Sequence, residues 1–126
     1  MMIPIPDKMK EVMAHEGVVA IVTQGIEGPH MVNTWNSYLR ISGDGKLLVP
    51  VGYMHVTENN LAQNPRVLIT LGAREVEGTH GPGTGFFVEG TGTIVDSGPT
   101  FDSTKATFPW ARAVLEIKVS AAKQTL

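Results

Sequence analysis

Three stretches of this chain carry residue types that sit awkwardly in a plain fold and well around a ligand. The first is Asn33-Thr34-Trp35-Asn36-Ser37-Tyr38. Asn is depleted in strands because its side chain competes for backbone hydrogen bonds. Two Asn, a Thr, a Ser and two aromatics in one run have two readings of about equal weight. One is a bulge or a solvated edge with ordinary packing aromatics. The other is a ligand-facing strand, with amides and hydroxyls for polar groups and rings for stacking.

The second stretch runs from Pro50 to Asn60, through Val51, Gly52, Tyr53, Met54, His55, Val56 and Thr57. A strand ends, the chain turns at Gly52, and a helix begins at Thr57. A helix start offers unpaired N–H groups that suit a phosphate, and Thr57 adds a hydroxyl. Plain capping by Thr57 is the commoner use of such a residue. The third stretch, Gly78 to Phe87, holds Gly78, Gly81, Gly83 and Gly85. It lets a ligand or a second chain approach the backbone closely, or it is a flexible loop feeding a strand. Taken together, the three supply the groups that bind a phosphorylated flat heterocycle. A flavin mononucleotide and a nucleotide both satisfy that inventory.

Other chemistries lack support. Gly45-Lys46 is followed by Leu47, and position 40 is Arg, so there is no phosphate-binding P-loop. Gly83-Thr84-Gly85 lacks the third Gly of a dinucleotide fingerprint. The histidines, His15, His30, His55 and His80, are too far apart for a zinc pair, and a nucleophile elbow is missing. We therefore expect no metal and no catalytic residue.

The elements that position these groups follow from composition. Val, Ile and Thr supply 34 of the 126 residues, and 14 Gly with 8 Pro punctuate them. Short β-branched runs between Gly and Pro predict an all-β sandwich or barrel. Residues 5–16 read as a helix, with Ile5, Met9, Val12 and Met13 at helical spacing and Gly17 as the C′ residue. Strands are expected over 18–24, 30–41, 46–52, 66–73, 84–95 and 111–119. Short helices are expected over 57–64 and 99–107, a polar loop over 75–82, and a tail from 120. That is about six strands and two or three short helices, which most naturally close into a barrel.

A length of 126 residues fits one domain over 1–126. A net charge of -2 argues against a nucleic-acid binder. The absence of cysteine excludes disulfides and thiolate chemistry and fits the cytoplasm. Val18 to Val22, the longest aliphatic run, is too short to span a membrane. No secretory signal pattern is visible.

Several blocks, in this order, resemble the small FMN-binding proteins of anaerobic bacteria. They are His15-Glu16-Gly17-Val18-Val19-Ala20-Ile21, Gly28 to Tyr38, Val49-Pro50-Val51-Gly52, Gly81 to Phe86, Trp110-Ala111-Arg112-Ala113 and Gln124-Thr125-Leu126. The likeness runs from about residue 8 to the end. It implies a six-stranded FMN-binding split β-barrel, related to pyridoxamine-phosphate oxidases and flavin reductases. It also implies a homodimer with noncovalent FMN at the subunit interface.

By the same resemblance, Asn33, Thr34, Trp35 and Asn36 line the flavin site, and Trp35, Tyr38 and Trp110 are aromatic neighbours of the ring. Pro50, Val51 and Gly52 present backbone groups, Thr57 touches the phosphate, and Gly83 and Thr84 belong to the Gly-rich segment beside the cofactor. Leu126 covers the partner's flavin, and Glu16 tunes the potential. Two positions depart from the pattern: Val56 stands where a family member has Lys, and Tyr53 where it has Gly. Arg74 is the preferred replacement cation, ahead of His55.

The function implied is an electron carrier with an unknown redox partner. The alternatives are an FMN-dependent oxidoreductase on the same barrel and a non-redox module that has lost FMN.

Overall fold

The computed structural model describes all residues from Met1 to Leu126. Seven strands form one antiparallel sheet: β1 (Val18–Gly25), β2 (Gly28–Trp35), β3 (Arg40–Ile41), β4 (Leu47–Val51), β5 (Arg66–Gly78), β6 (Gly81–Val95) and β7 (Ala113–Gln124). Their order is β2-β1-β5-β6-β7-β4-β3. The helices are α1 (Asp7–Met13), α2 (His55–Gln63) and α3 (Pro99–Thr107). A 3-10 turn covers Asn36–Tyr38.

The strand count is seven rather than six, and the sheet does not close. The expected long strand over 30–41 breaks at Asn36, whose side-chain amide donates to the carbonyls of Val12, His15 and Gly72. That pull ends β2 and leaves β3 only two residues long. β2 and β3 remain as the two edges of a split barrel. Pro50 pairs with Val114 of β7, while β3 reaches only Leu47 and Leu48 on the other side. Its missing N–H therefore costs no ladder bond.

Two further expectations change. Residues 75–78 continue β5 and 81–82 open β6, leaving only Thr79 and His80 in the turn. Val76 is buried in the core while Glu75 and Glu77 face outward, so the polar run is a strand with one core-facing residue. The expected tail pairs with β6, Gln124 opposite Phe86. Gly17 does not end the first helix. Ala14 caps it, and Gly17 lies where a Cβ would meet the Gly72 carbonyl.

One core holds the layers together. Met9 and Val12 of α1 are fully buried in one cluster with Val19, Ile21, Ile69, Val88, Leu115 and Ile117. Each such side chain contributes about 1.5–3 kcal/mol. The alternation expected near the chain's end is present: Ala111, Ala113, Leu115, Ile117 and Val119 are all buried. Leu61 joins α2 to this core, and Asn60 Nδ2 donates to Thr23 Oγ1 at 3.1 Å to fix α2 on β1. No helix is long and apolar enough to cross a membrane.

Candidate functional site

Two open clefts gather most of the sequence-predicted site residues. The first, about 480 Å³, lies between the outward side of β2 and the segment leaving β4. Asn33, Thr34 and Trp35 come from β2, Tyr38 from the 3-10 turn, Pro50 and Gly52 from the end of β4, and Trp110 from the stretch before β7. Trp35 is 40% exposed and Trp110 51% exposed, a large share for indole rings. Tyr38, Phe108 and Trp110 form a triangle with ring centroids 5.2–5.8 Å apart. Edge-tilted rings at that spacing attract one another by about 0.5–1.5 kcal/mol per pair beyond their burial. Phe108 is the buried member, and Arg40 covers its ring at 5.3 Å. Sequence reasoning missed Phe108. Its signal was the Phe-Pro-Trp run, which sets two rings around a rigid residue.

Gly52 opens the floor of this cleft. A Cβ there would lie in ordinary contact with the Trp110 ring, at 3.5 Å, so the bare backbone of residue 52 sits beside the indole. The chain then turns through Tyr53 and Met54. Met54 adopts the left-handed conformation (φ 56°, ψ 35°), the only non-Gly residue with positive φ. For a Met this is strained backbone, held by its surroundings.

α2 starts at His55, two residues earlier than expected, so Thr57 sits in its first turn rather than capping it. The Thr57 side chain is buried, and its Oγ1 has no hydrogen-bond partner. Arg112, also missed, donates from Nε to the carbonyls of Gly52 (2.8 Å) and Tyr53 (3.0 Å). Its Nη2 donates to the Tyr53 carbonyl at 2.6 Å and pairs with Glu58 at 2.8 Å. Nothing in a sequence marks carbonyls as partners, which is why this residue escaped notice.

The second cleft, about 470 Å³, brings together Glu16, Arg74, Gly83, Thr84 and Leu126. Between Ala73 and Glu77, β5 has three residues where β6 has only Gly83, at φ 101°. This bulge pushes Arg74 and Glu75 outward. The Leu126 carbonyl accepts from Thr84 Oγ1 (3.0 Å), the Thr79 N–H (2.8 Å) and Gln124 Nε2 (3.3 Å). Its backbone oxygen is thus tied down while the residue as a whole is 62% exposed.

The Glu16 carboxylate accepts from the Ser37 hydroxyl at 2.7 Å and from the N–H groups of Ser37 and Gly17, both at 3.2 Å. These donors, the hydroxyl first, hold its pKa below the usual carboxylate range.

Three predicted residues line neither cleft. Asn36 is buried as the staple described above, and Val51 lies in the core. Thr57 is buried in the first turn of α2, whose preceding residue Met54 lines the first cleft. Arg74 shares no cleft with Thr57 within one chain.

What the two clefts offer is a flat ring's surroundings in one and fixed polar groups in the other. The profile of the pyridoxamine 5'-phosphate oxidase family matches residues 5–125. The chain belongs to that family. Within it, the chain is similar to the FMN-binding protein of Nitratidesulfovibrio vulgaris, 53% identical over 122 residues, covering 97% of this chain and 99% of that one. Among solved structures it is similar to HupZ of Group A Streptococcus, with TM-score 0.77, 19% identity and coverage of 95% and 93% of the two chains. It is also similar to an FMN-binding protein of Syntrophomonas wolfei, with TM-score 0.72, 13% identity and coverage of 95% and 85%. At those identities the structural likeness establishes the family's fold and nothing finer.

Proposed function

We propose that this chain binds one noncovalent FMN per subunit and serves as a small electron carrier. It does so as one domain over residues 1–126, in a cytoplasmic homodimer whose flavin sites each draw on both chains. The observation that carries the reading is the first cleft. Trp35, Tyr38 and Trp110 surround a hollow that Gly52 leaves open, next to a helix start whose Thr57 oxygen is buried without a partner. Those residues fit a flat ring carrying a phosphate. The name of the 53% identical relative points the same way.

When bound, FMN supplies the redox chemistry, and the protein supplies position and charge. Trp35 and Trp110 offer apolar faces to the ring. Asn33 and Thr34 offer hydrogen bonds to its polar edge. The side chains lining the first cleft include no Asp, Glu, His or Lys. A site without a proton donor or acceptor of near-neutral pKa suits a carrier better than an acid–base catalyst.

The dimer draws support from three features. Both clefts are open, Val18, Met31 and Trp35 expose an apolar outward face, and Leu126 presents its side chain from a fixed backbone. Exposed apolar surface of this kind marks an interaction site.

The test is the visible spectrum of the purified protein, with sedimentation of the same sample. A flavin band in a dimer is expected. A colourless protein that takes up no added FMN would overturn the reading. An FMN-dependent oxidoreductase is the second reading, and the family match favours it. Sustained turnover of NADH, NADPH or pyridoxamine phosphate would establish it over the carrier.

A further inference from the structure

Arg112 turns three consecutive carbonyls to itself. Its backbone N–H donates to Val51 O at 2.9 Å, and its guanidinium takes the Gly52 and Tyr53 carbonyls. All peptides here are trans, so each N–H points opposite to the carbonyl of its own peptide unit. Drawing the Gly52 and Tyr53 carbonyls toward Arg112 therefore aims the Tyr53 and Met54 N–H groups away from it. Neither donates to an acceptor within the chain.

The first amide of α2 to find a helical partner is that of Glu58, which donates to Met54 O at 3.0 Å. The His55, Val56 and Thr57 amides precede it and have no intrahelical acceptor. A left-handed residue followed by right-handed ones makes a concave nest of N–H groups, a shape that binds anionic oxygens. The buried, partnerless Thr57 oxygen in the same turn is the second sign that a ligand oxygen belongs there.

We propose that Arg112 is the positioning residue of this nest. It holds the strained Met54 turn so that residues 53–57 receive the phosphate of the flavin, and so it sets the preference for a phosphorylated over an unphosphorylated flavin. The inference rests on the FMN reading above. Arg112 acts through geometry. Its charge is paired with Glu58, and its guanidinium fork is committed to carbonyls. A Lys cannot reproduce such a fork.

The experiment compares equilibrium binding of FMN and of riboflavin, which has no phosphate, to the wild-type chain and to Arg112→Lys, Arg112→Gln and Arg66→Gln. Exposed Arg66 pairs only with half-buried Glu89 and controls for lost surface charge. Both Arg112 variants should bind FMN about 10- to 100-fold more weakly, the loss expected on breaking a charge-assisted network. Riboflavin binding should stay within about twofold, and Arg66→Gln should match wild type.

An equal loss for both flavins would reduce Arg112 to a general stabiliser. Full FMN binding by Arg112→Lys would assign the effect to charge. Either result overturns the proposal. A wild-type chain that binds neither flavin instead overturns the FMN reading, and the positioning role falls with it.

A measurement on the wild-type chain alone covers the case in which the variants unfold. The amide resonances of Tyr53 to Thr57 should differ between the FMN and riboflavin complexes. Identical resonances there would contradict the nest.

Discussion

The two clefts have nearly equal volume and opposite chemistry. The first is walled by Trp35, Tyr38, Trp110 and the bare backbone at Gly52, with no charged side chain. The second carries Glu16, Arg74 and Glu75 around Gly83 and Thr84. The first can grip a flat ring by area but offers little to fix its electrostatics. The second holds a carboxylate and a guanidinium in defined places but has no aromatic surface. Apolar area supplies affinity, whereas placed polar groups supply orientation and tuning. Under the proposed function each cleft is half of a site, completed by the other cleft of a second copy.

Asn36 joins the two halves within one chain. It follows Trp35 of the first cleft, and its amide donates to the carbonyl of Gly72 in the second (3.0 Å), as well as to Val12 and His15. Asn36→Ala is the largest expected disruption. It should cost about 2–4 kcal/mol in urea unfolding, because the His15 and Gly72 carbonyls lose this donor and the Val12 carbonyl keeps only the His15 N–H. A loss under about 0.5 kcal/mol, the range of ordinary surface changes, would mean that the clefts are not coupled through this residue.

Gly52→Leu separates the halves. It fills the hollow over Trp110 and leaves the second cleft untouched. FMN binding should weaken about 100-fold, or roughly 2.7 kcal/mol, with the melting temperature little changed. Unaltered affinity in a flavin titration would place the ring elsewhere.

Leu126→Asp attacks the second half while keeping the backbone bonds of residue 126. About tenfold weaker FMN binding is expected, since the cap contributes contact area but no enclosed pocket. If the affinity does not move, Leu126 is not a wall of the site.

The smallest effect concerns Glu16. Its pKa lies below the ordinary 4.5 because the folded chain supplies donors, the Ser37 hydroxyl above all. The folded state then binds fewer protons than the unfolded one. The stabilisation is complete above the ordinary value and disappears as pH falls through the lowered one. The side chain is exposed, so the contribution to stability is small. Ser37→Ala should raise the pKa of Glu16 in an NMR titration. Glu16→Gln should shift the flavin potential slightly upward, because a nearby negative charge disfavours added electrons. A potential that stays put would remove the tuning role.

Legibility in the sequence followed the kind of interaction. Alternation from Ala111 to Val119 marked the buried face of β7, because burial on a strand has period two. Pro99 to Thr107 read as a helix and is one. The Asn33–Tyr38 run signalled an anomaly but not its kind. Asn33 faces a cleft, while Asn36 is a buried staple, and both look alike in one dimension. Arg112 was silent because its hydrogen-bond acceptors at Gly52 and Tyr53 are backbone carbonyls some 60 residues away in sequence. The strand through Glu75 and Glu77 was hidden because charged residues suit an exposed ladder as well as a loop.

That each site is built from both chains is tested most directly by mixed dimers. Subunits carrying Gly52→Leu have a blocked first cleft, and subunits carrying Leu126→Asp have a damaged second one. A dimer of one each restores one complete site, from the intact first cleft of one chain and the intact second cleft of the other. Co-expression at equal ratio should return about one wild-type-affinity FMN site in four, while neither variant alone shows any. If the mixture binds no better than the two separate variants averaged, the site lies within a single chain and the two-cleft arrangement is wrong.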